Sequence, residues 1–523
     1  MPARRFLSQA LLPLAAAAVV LSGAPLRAAP PAAARPNVLF IAVDDLNDWV
    51  GFLRGHPQTR TPNIDRLAAR GVVFANAQCA APLCAPSRAA VFSGREPYRT
   101  GVYDNDAADI RRLAPELVLL PAHFQAQGYR TLGTGKLLHQ KRGDLFDESF
   151  MPEQRWSPFD PKAVNYTPDE LPSKGTANPR HVTRLGPDGR EVVLPLNRMP
   201  SDRRPDDPTG ESFDWGPLEV PDELMGDTQV ASWAVRQLAA PQARPFFLGV
   251  GFYRPHIPLF APAKYFAPFP AESIRLPPLA AADLDDLSVS ARRIARDPVT
   301  AGAHASVLRH RQWQAAVAAY LACIHYVDAE VGRLLDALDR GPHAANTVIV
   351  FWGDHGWHLG EKEHWGKWTG WERSVRVPLA IVPAARDRAN FATGRRSVQP
   401  VSLVDLYPTL VEYCGLPRPA SPLDGQSLVP LLRDPAQTTG RAVVSTFYAE
   451  HYSVRDEHWR YLRYADGTEE LYDHRADPNE WRNLAADPAH TAEKARLAQA
   501  IPRDPRRVAA PAKKAKAPRQ GRP

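Results

Sequence analysis

The sequence predicts an α/β fold with a large, mainly parallel or mixed sheet covered by helices on both faces. Short continuous apolar runs, such as Asn37 to Val43 and Val348 to Trp352, alternate with helix-like segments. Strands buried on both faces and joined by helical crossovers read this way. Acidic residues follow two of those runs, Asp44-Asp45 directly after the first and Asp354-His355 one residue beyond the second. Open α/β sheets place their ligands at the carboxyl ends of strands. Finally, the stretch from about Gln312 to Leu338 has the spacing of one long amphipathic helix.

In chain order, Arg4 and Arg5 precede an apolar run from Leu11 to Leu21 and a small-residue stretch from Ser22 to Ala29. That layout predicts a signal peptide over residues 1–29 and an exported protein, periplasmic or secreted. The run is short for a bilayer span, so an N-terminal anchor is the lesser reading and no stable membrane insertion is expected. A catalytic domain is expected over residues 36–430. It opens with the strand Asn37 to Val43, then a helix with Thr61 as cap, Pro62 in its first turn and Gly71 past its end. Leu119 to Gln127 reads as a helix closed by Gly128, and Tyr129 to Thr134 as a strand. Phe246 to Val250 and Val348 to Trp352 are further strands, with the long helix between them. From Lys141 to Pro221 periodicity fades into Pro, Asp, Arg and Gly, an excursion over residues 141–221 expected to shape specificity. Val443 to Tyr448 and Trp459 to Tyr464 are short strand patterns that predict a smaller C-terminal α+β subdomain over residues 431–500. A basic tail, residues 501–523, reads as disordered.

Composition excludes several classes. At 44% hydrophobic and 23% charged, the 523 residues can bury a sizeable core. The 53 prolines are scattered without period, which fits ordered loops and excludes a collagen-like chain. The net charge of +7 mildly favours anionic substrates. Much of that basic character sits in the tail, among Lys513, Lys514 and Lys516, with no aromatics interleaved, so a nucleic-acid partner is not expected. Four cysteines, Cys79, Cys84, Cys323 and Cys414, are no disulfide scaffold.

Chemistry concentrates in a few motifs. Asp44, Asp45 and Asp354 at strand ends would offer hard oxygen ligands, suited to calcium or magnesium more than to zinc, with His355 beside them to ligate or orient. A lone acid pair reads equally as a helix cap plus a solvated acid, but here two strands deliver acids to one edge. Cys84-Ala85-Pro86-Ser87-Arg88 sets a cysteine just ahead of a helix start, where backbone N–H groups and the helix dipole attract anions. The plain alternative for Cys84 is a buried core thiol. A phosphatase-type cysteine followed six residues later by arginine is excluded, since Ala90 stands there.

The run Cys84-Ala85-Pro86-Ser87-Arg88 continuing to Arg95 resembles the first signature of the formylglycine-dependent sulfatases, the type I sulfatases of the alkaline-phosphatase-like superfamily. Gly128 to His139, through Lys136, resembles their second signature at the expected distance, and Glu470-Leu471-Tyr472-Asp473 a C-terminal one. Within the family, Pro255-His256-Ile257-Pro258 and the stretch from Asp354 through Glu361 to Lys367 look like the iduronate-2-sulfatase type; arylsulfatases usually carry Asn where His355 stands. The resemblance covers roughly Asn37 to Leu484 and implies the alkaline-phosphatase-like sulfatase fold.

It also implies a reaction. A maturation enzyme converts Cys84 to formylglycine, whose hydrate is the nucleophile, and Asp44, Asp45, Asp354, His355 and residue 84 hold one divalent metal, calcium ahead of magnesium. Arg88 and Lys136 hold the diol and the sulfate. His256 or Lys367, with His256 favoured, protonates the leaving alcohol, and His139 takes the proton that releases sulfate. The implied substrate is a sulfated carbohydrate, such as a 2-O-sulfated uronate of a glycosaminoglycan or other polysaccharide. Two rivals stand beside it, a phosphate or phosphonate ester hydrolase of the same fold and a non-catalytic binder of sulfated glycans. Cys79, Cys323 and Cys414 read as core, while Trp357, His358 and His364 lie near enough in sequence to touch substrate.

Overall fold

The computed structural model describes residues 35–105, 110–158, 181–185, 191–197, 199, 212–298 and 301–506, with backbone alone for 181–185 and 191–195. The expected signal peptide and the tail from residue 507 onward lie outside the described residues, as does much of the 141–221 excursion.

An eight-stranded sheet forms the centre, in the order Arg395–Ser402, Val72–Gln78, Leu379–Val382, Thr347–Gly353, Asn37–Val43, Phe246–Phe252, Arg130–Gly135 and Glu148–Phe150. Every neighbouring pair is parallel except the two made by Leu379–Val382, which runs against both of its partners. Asn37–Val43 is buried along its whole length and its side chains alternate between two cores. Leu39, Ile41 and Val43 face the helices Gly226–Ala239 and Trp313–Arg340. Val38, Phe40 and Ala42 face the helices Cys84–Ser93, Leu120–Ala126 and Leu406–Tyr413. Phe40 touches Phe92, Phe247 and Trp352, with ring centroids 6.0, 5.6 and 5.4 Å away. This aromatic contact, worth about 0.5–1.5 kcal/mol per pair beyond area burial, seats the helix that begins at Cys84 on the sheet.

Several expected elements shift. The first helix spans Pro62–Ala68 and ends before Gly71; Thr61 makes no side-chain cap because its hydroxyl accepts from the Gly51 N–H and donates to Asp65. The helix expected behind Cys84 starts at Cys84 itself, which places Pro86 at its third position. The excursion is partly woven into the body, since Glu148–Phe150 extends the main sheet and Trp215–Leu218 pairs with Leu259–Pro262.

At the C-terminal side, Val443–Thr446, Tyr452–Arg455, Trp459–Arg463 and Glu469–Asp473 form an antiparallel sheet in sequence order, covered by the helix Thr491–Ala498. Its first strand bonds the approach to Cys84, with Thr446 N–H donating to the Ala80 carbonyl and the Ser445 hydroxyl to that of Cys79. Among the described residues no helix is long and apolar enough to cross a membrane.

Candidate active site and metal centre

Two adjacent parallel strands end together, Val43 paired with Gly353, so the residues that follow them meet at one edge. The Asp44 N–H donates to the Phe252 carbonyl and the Asp354 N–H to that of Val43, which carries the ladder one step past the strands. Asp45 then takes a left-handed backbone, φ 56°, which aspartate tolerates better than most residues. Its N–H donates to Asp354 Oδ1 at 3.0 Å, and Tyr320 OH donates to its carbonyl at 2.6 Å. Nearby, Gly135 has φ 69° and a Cβ there would lie 2.1 Å from the Gly251 carbonyl, so glycine alone lets the chain turn and present Lys136.

Cys84 stands at the helix start facing this edge, wholly buried. Its thiol donates to Asp44 Oδ1 at 3.4 Å and lies 3.3 Å from His355 Nε2, 3.0 Å from Lys367 Nζ and 3.6 Å from Lys136 Nζ. Burial pushes the thiol's pKa up, but Lys136, Lys367, His355 and a hydrogen bond from His139 outweigh it and hold it well below the usual range. Ser87 donates to the Asp354 carbonyl at 2.5 Å and Arg88 Nε to Asp354 Oδ2 at 2.8 Å. Arg88 also bonds the carbonyls of Lys136 and Leu137 and lies 3.5 Å from Asp44. Its guanidinium thus ties the carboxylates to the turn that carries Lys136. Lys136 itself donates to Asp44, and Lys367 to Asp45 Oδ1 at 2.6 Å.

Ligand atoms of Asp44, Cys84, Asp354 and His355 all lie within 4.8 Å of one another, and those of Asp44, Asp45, Cys84 and His256 do likewise. Three further observations test whether a divalent cation fits. Asp45 Oδ2 is buried without a hydrogen-bond partner. Burial pushes the carboxyls of both Asp44 and Asp45 above the usual range, a cost that a cation between them would offset. His355 Nδ1 lies 3.0 Å from the Gly356 carbonyl, which takes its hydrogen and aims Nε2 at the cluster. The residues fit such a cation.

The remaining expected residues divide. His139 and His256 line a cavity of about 350 Å³ together with Lys136, Tyr253, Arg155 and Trp156. His256 Nδ1 sits 2.6 Å from the Ile257 carbonyl, its Nε2 3.9 Å from Asp45 Oδ2, and burial pushes its pKa down to about 3. In that state it is neutral. Lys367, by contrast, loses stability as a cation through burial but regains more from Asp45, which holds its pKa above the ordinary value.

Trp357, His358 and His364, near enough in sequence to touch substrate, do not line the cavity beside His139 and His256. All three are buried: His358 bonds Thr369 at 2.9 Å, His364 bonds the Ala295 carbonyl at 2.8 Å, and Trp357 lies under the Lys367 ammonium at 5.4 Å. Cys79, Cys323 and Cys414 are buried and free. Sequence reasoning missed Tyr253, which lies under Lys136 at 4.8 Å, and Asn105, whose Oδ1 accepts from the Ala85 N–H at 2.9 Å. Tyr253 stands beside the Pro255-His256 motif and could have been picked up from it, whereas nothing local marks Asn105.

Comparison with known proteins bears on this geometry. The family model described as "Sulfatase" matches residues 36–416, and one described as "N-sulphoglucosamine sulphohydrolase, C-terminal" matches residues 360–505. A protein named "Sulfatase" from Formosa agariphila is 36% identical over 457 residues, covering 86% of this chain and 83% of its own. Human "Iduronate 2-sulfatase" is 30% identical over 427 residues, covering 73% and 70%. Among solved structures, a phosphonate monoester hydrolase from Silicibacter pomeroyi superposes with a TM-score of 0.69 at 23% identity, covering 89% of this chain and 94% of its own, which speaks to the fold alone.

Proposed function

The chain belongs to the sulfatase family, and we propose that it removes sulfate from a carbohydrate, a 2-O-sulfated uronate or related sugar of a sulfated polysaccharide, using residue 84 as a formylglycine hydrate. The observation that carries this reading is the meeting of three carboxylates, His355 and two lysines around the Cys84 side chain, at the start of the helix Cys84–Ser93. The iduronate-type motifs around His256 and Lys367 and the human relative's name support the choice of sugar.

Asp44, Asp45, Asp354, His355 and residue 84 would hold the cation, calcium first and magnesium second, since most donors are oxygens. When bound, it supplies charge that neutralises sulfate oxygens and lowers the pKa of the attacking hydroxyl. Arg88 orients Asp44 and Asp354, while Lys136 and Lys367 stand where sulfate oxygens would meet them. A hydroxyl of the residue 84 hydrate would attack sulfur and give its proton to Asp44, which accepts a hydrogen bond from the residue 84 side chain. The bond from sulfur to the sugar oxygen breaks, and that oxygen takes a proton from Lys367 or His256. Of the two, Lys367 is the one whose cationic form is favoured, by Asp45 beside it. His139, whose buried Nδ1 has no hydrogen-bond partner, would then accept the proton of the second hydroxyl. The bond from carbon to the sulfate oxygen breaks, sulfate leaves and the aldehyde re-forms, ready for a new water.

Intact-peptide mass spectrometry of residue 84, paired with sulfate release from sulfated disaccharides, tests the reading. Formylglycine with release from a uronate sulfate is expected. An active native protein carrying an unmodified Cys84, or faster cleavage of a phosphonate monoester than of any sulfate, would overturn it.

A further inference from the structure

Resting on the sulfate-ester reading above, we propose that Arg155 recognises a second anionic group, a carboxylate or a further sulfate, on the sugar whose sulfate is removed. The cavity of about 350 Å³ is lined by His139, His256 and Lys136 and also by Arg155 and Trp156. That volume falls in the range of small-ligand pockets, about 300–1,000 Å³.

The segment bearing Arg155 is tied to the same elements that carry the centre. Arg254, two residues before His256, donates to the Arg155 carbonyl at 3.0 Å. Gln154 donates to the Gly251 carbonyl at 2.8 Å and to Asp227 Oδ1 at 2.6 Å, while Asp227 accepts from the N–H groups of Tyr253 and Arg254, both at 2.9 Å. Ser157 bonds the Gln154 carbonyl and the Gly226 N–H, both at 2.9 Å. The backbone of Arg155 therefore keeps a set relation to His256.

Among the described residues its side chain has no ion-pair partner, and the guanidinium lies over the Trp156 ring, 5.1 Å from the centroid. The other cations of the cavity are engaged, Lys136 with Asp44 and Lys141 with Glu153 at 3.6 Å. An anion entering the cavity thus finds one free fork. Guanidinium geometry suits bidentate contact with carboxylate or sulfate. Sulfate chemistry at the centre does not use this residue, so its role is discrimination between sugars.

The test uses the mature full-length enzyme and its Arg155→Ala and Arg155→Lys variants. Substrates are 4-nitrophenyl sulfate, a 2-O-sulfated uronate disaccharide, the same disaccharide with its carboxylate reduced to an alcohol, and a disulfated neutral sugar. Arg155→Ala should raise KM for a doubly anionic sugar about 10- to 100-fold, the loss of one charged hydrogen-bonding group, with kcat within about twofold. Arg155→Lys should restore part of the loss, and 4-nitrophenyl sulfate and the reduced disaccharide should be unaffected. A loss confined to the uronate assigns the carboxylate; one confined to the disulfated sugar assigns the second sulfate. An equal effect on all substrates, or none, overturns the proposal while the sulfatase reading stands. A wild-type enzyme that releases sulfate from nothing in the panel overturns both.

Discussion

Lys367 reaches the centre from a segment gripped at many points, whereas Arg155 reaches the cavity from a segment held by its backbone, with its charge left free. Beside Lys367, the Trp371 indole donates to buried Glu470 at 2.8 Å, and that carboxylate also accepts from Tyr464 and Tyr472, each at 2.7 Å. Ser453 donates to the Gly370 carbonyl at 2.7 Å, and Arg460 bonds Ser453, Glu372 and Glu480. The Trp368 N–H donates to the Pro82 carbonyl at 2.9 Å, joining this segment to the approach to Cys84. Reacting groups must sit within a fraction of an ångström, and redundant contacts supply that accuracy. A recognising group needs only a fixed root and a free end. The two regions should therefore fail differently when cut.

The largest effect is expected at the centre. Cys84→Ala should lower kcat by at least about 10⁴-fold, as loss of a nucleophile does, with an unchanged melting temperature; sulfate release at high enzyme concentration measures it. Lys367→Ala should follow, with kcat down about 10²- to 10⁴-fold and the deficit growing as the leaving alcohol becomes more basic. If His256→Ala shows that leaving-group dependence and Lys367→Ala does not, the proton comes from His256.

Glu470→Gln probes the grip itself. It leaves charge-assisted donors facing an amide and should cost about 2–3 kcal/mol of stability, read by urea unfolding. It should also lower kcat on every substrate alike with little change in KM. A substrate-dependent KM effect there would erase the distinction from Arg155.

The smallest effect is a pH dependence of stability in the chelated, unmodified protein. The His256 pKa lies near 3, below the ordinary value of about 6.5, so its neutral form stabilises the fold above pH 6.5 and the benefit fades as pH falls toward 3. His355, where burial lowers the pKa and Asp354 more than offsets it, lies at about 9. It stabilises below pH 6.5 and loses that contribution as pH rises through 9. Melting curves from pH 4 to 9 should be flatter on the acid side for His256→Gln than for the wild type.

What could be read from the sequence was mostly local. An apolar run followed by acids marks a buried strand with ligands at its end, and both such strands, Asn37–Val43 and Thr347–Gly353, lie side by side in register. Leu379–Val382 was not legible as the one reversed strand, because four apolar residues carry no direction. Thr61 reads as a cap, yet Gly51 and Asp65 compete for its hydroxyl. His358 and His364 look available beside a metal motif, but the pairing of His358–Leu359 with Trp365–Gly366 folds them inward. Arg155 lies about a hundred residues from His256, and only backbone and side-chain bonds across that gap bring them to one cavity.

Cys84 has no accessible surface in the folded chain, and the approach to its helix is bonded to the C-terminal sheet through Ala80 and Cys79. On the proposed reading, an enzyme that grasps this residue to oxidise it would need the surrounding structure still open. Maturation, on the reading above, belongs to the interval between synthesis and folding. On that reading, a chain that folds first would keep its thiol and lack the proposed nucleophile. The yield of working protein would then be set by a race between two clocks, and slowing folding during production should raise the active fraction without altering a single residue.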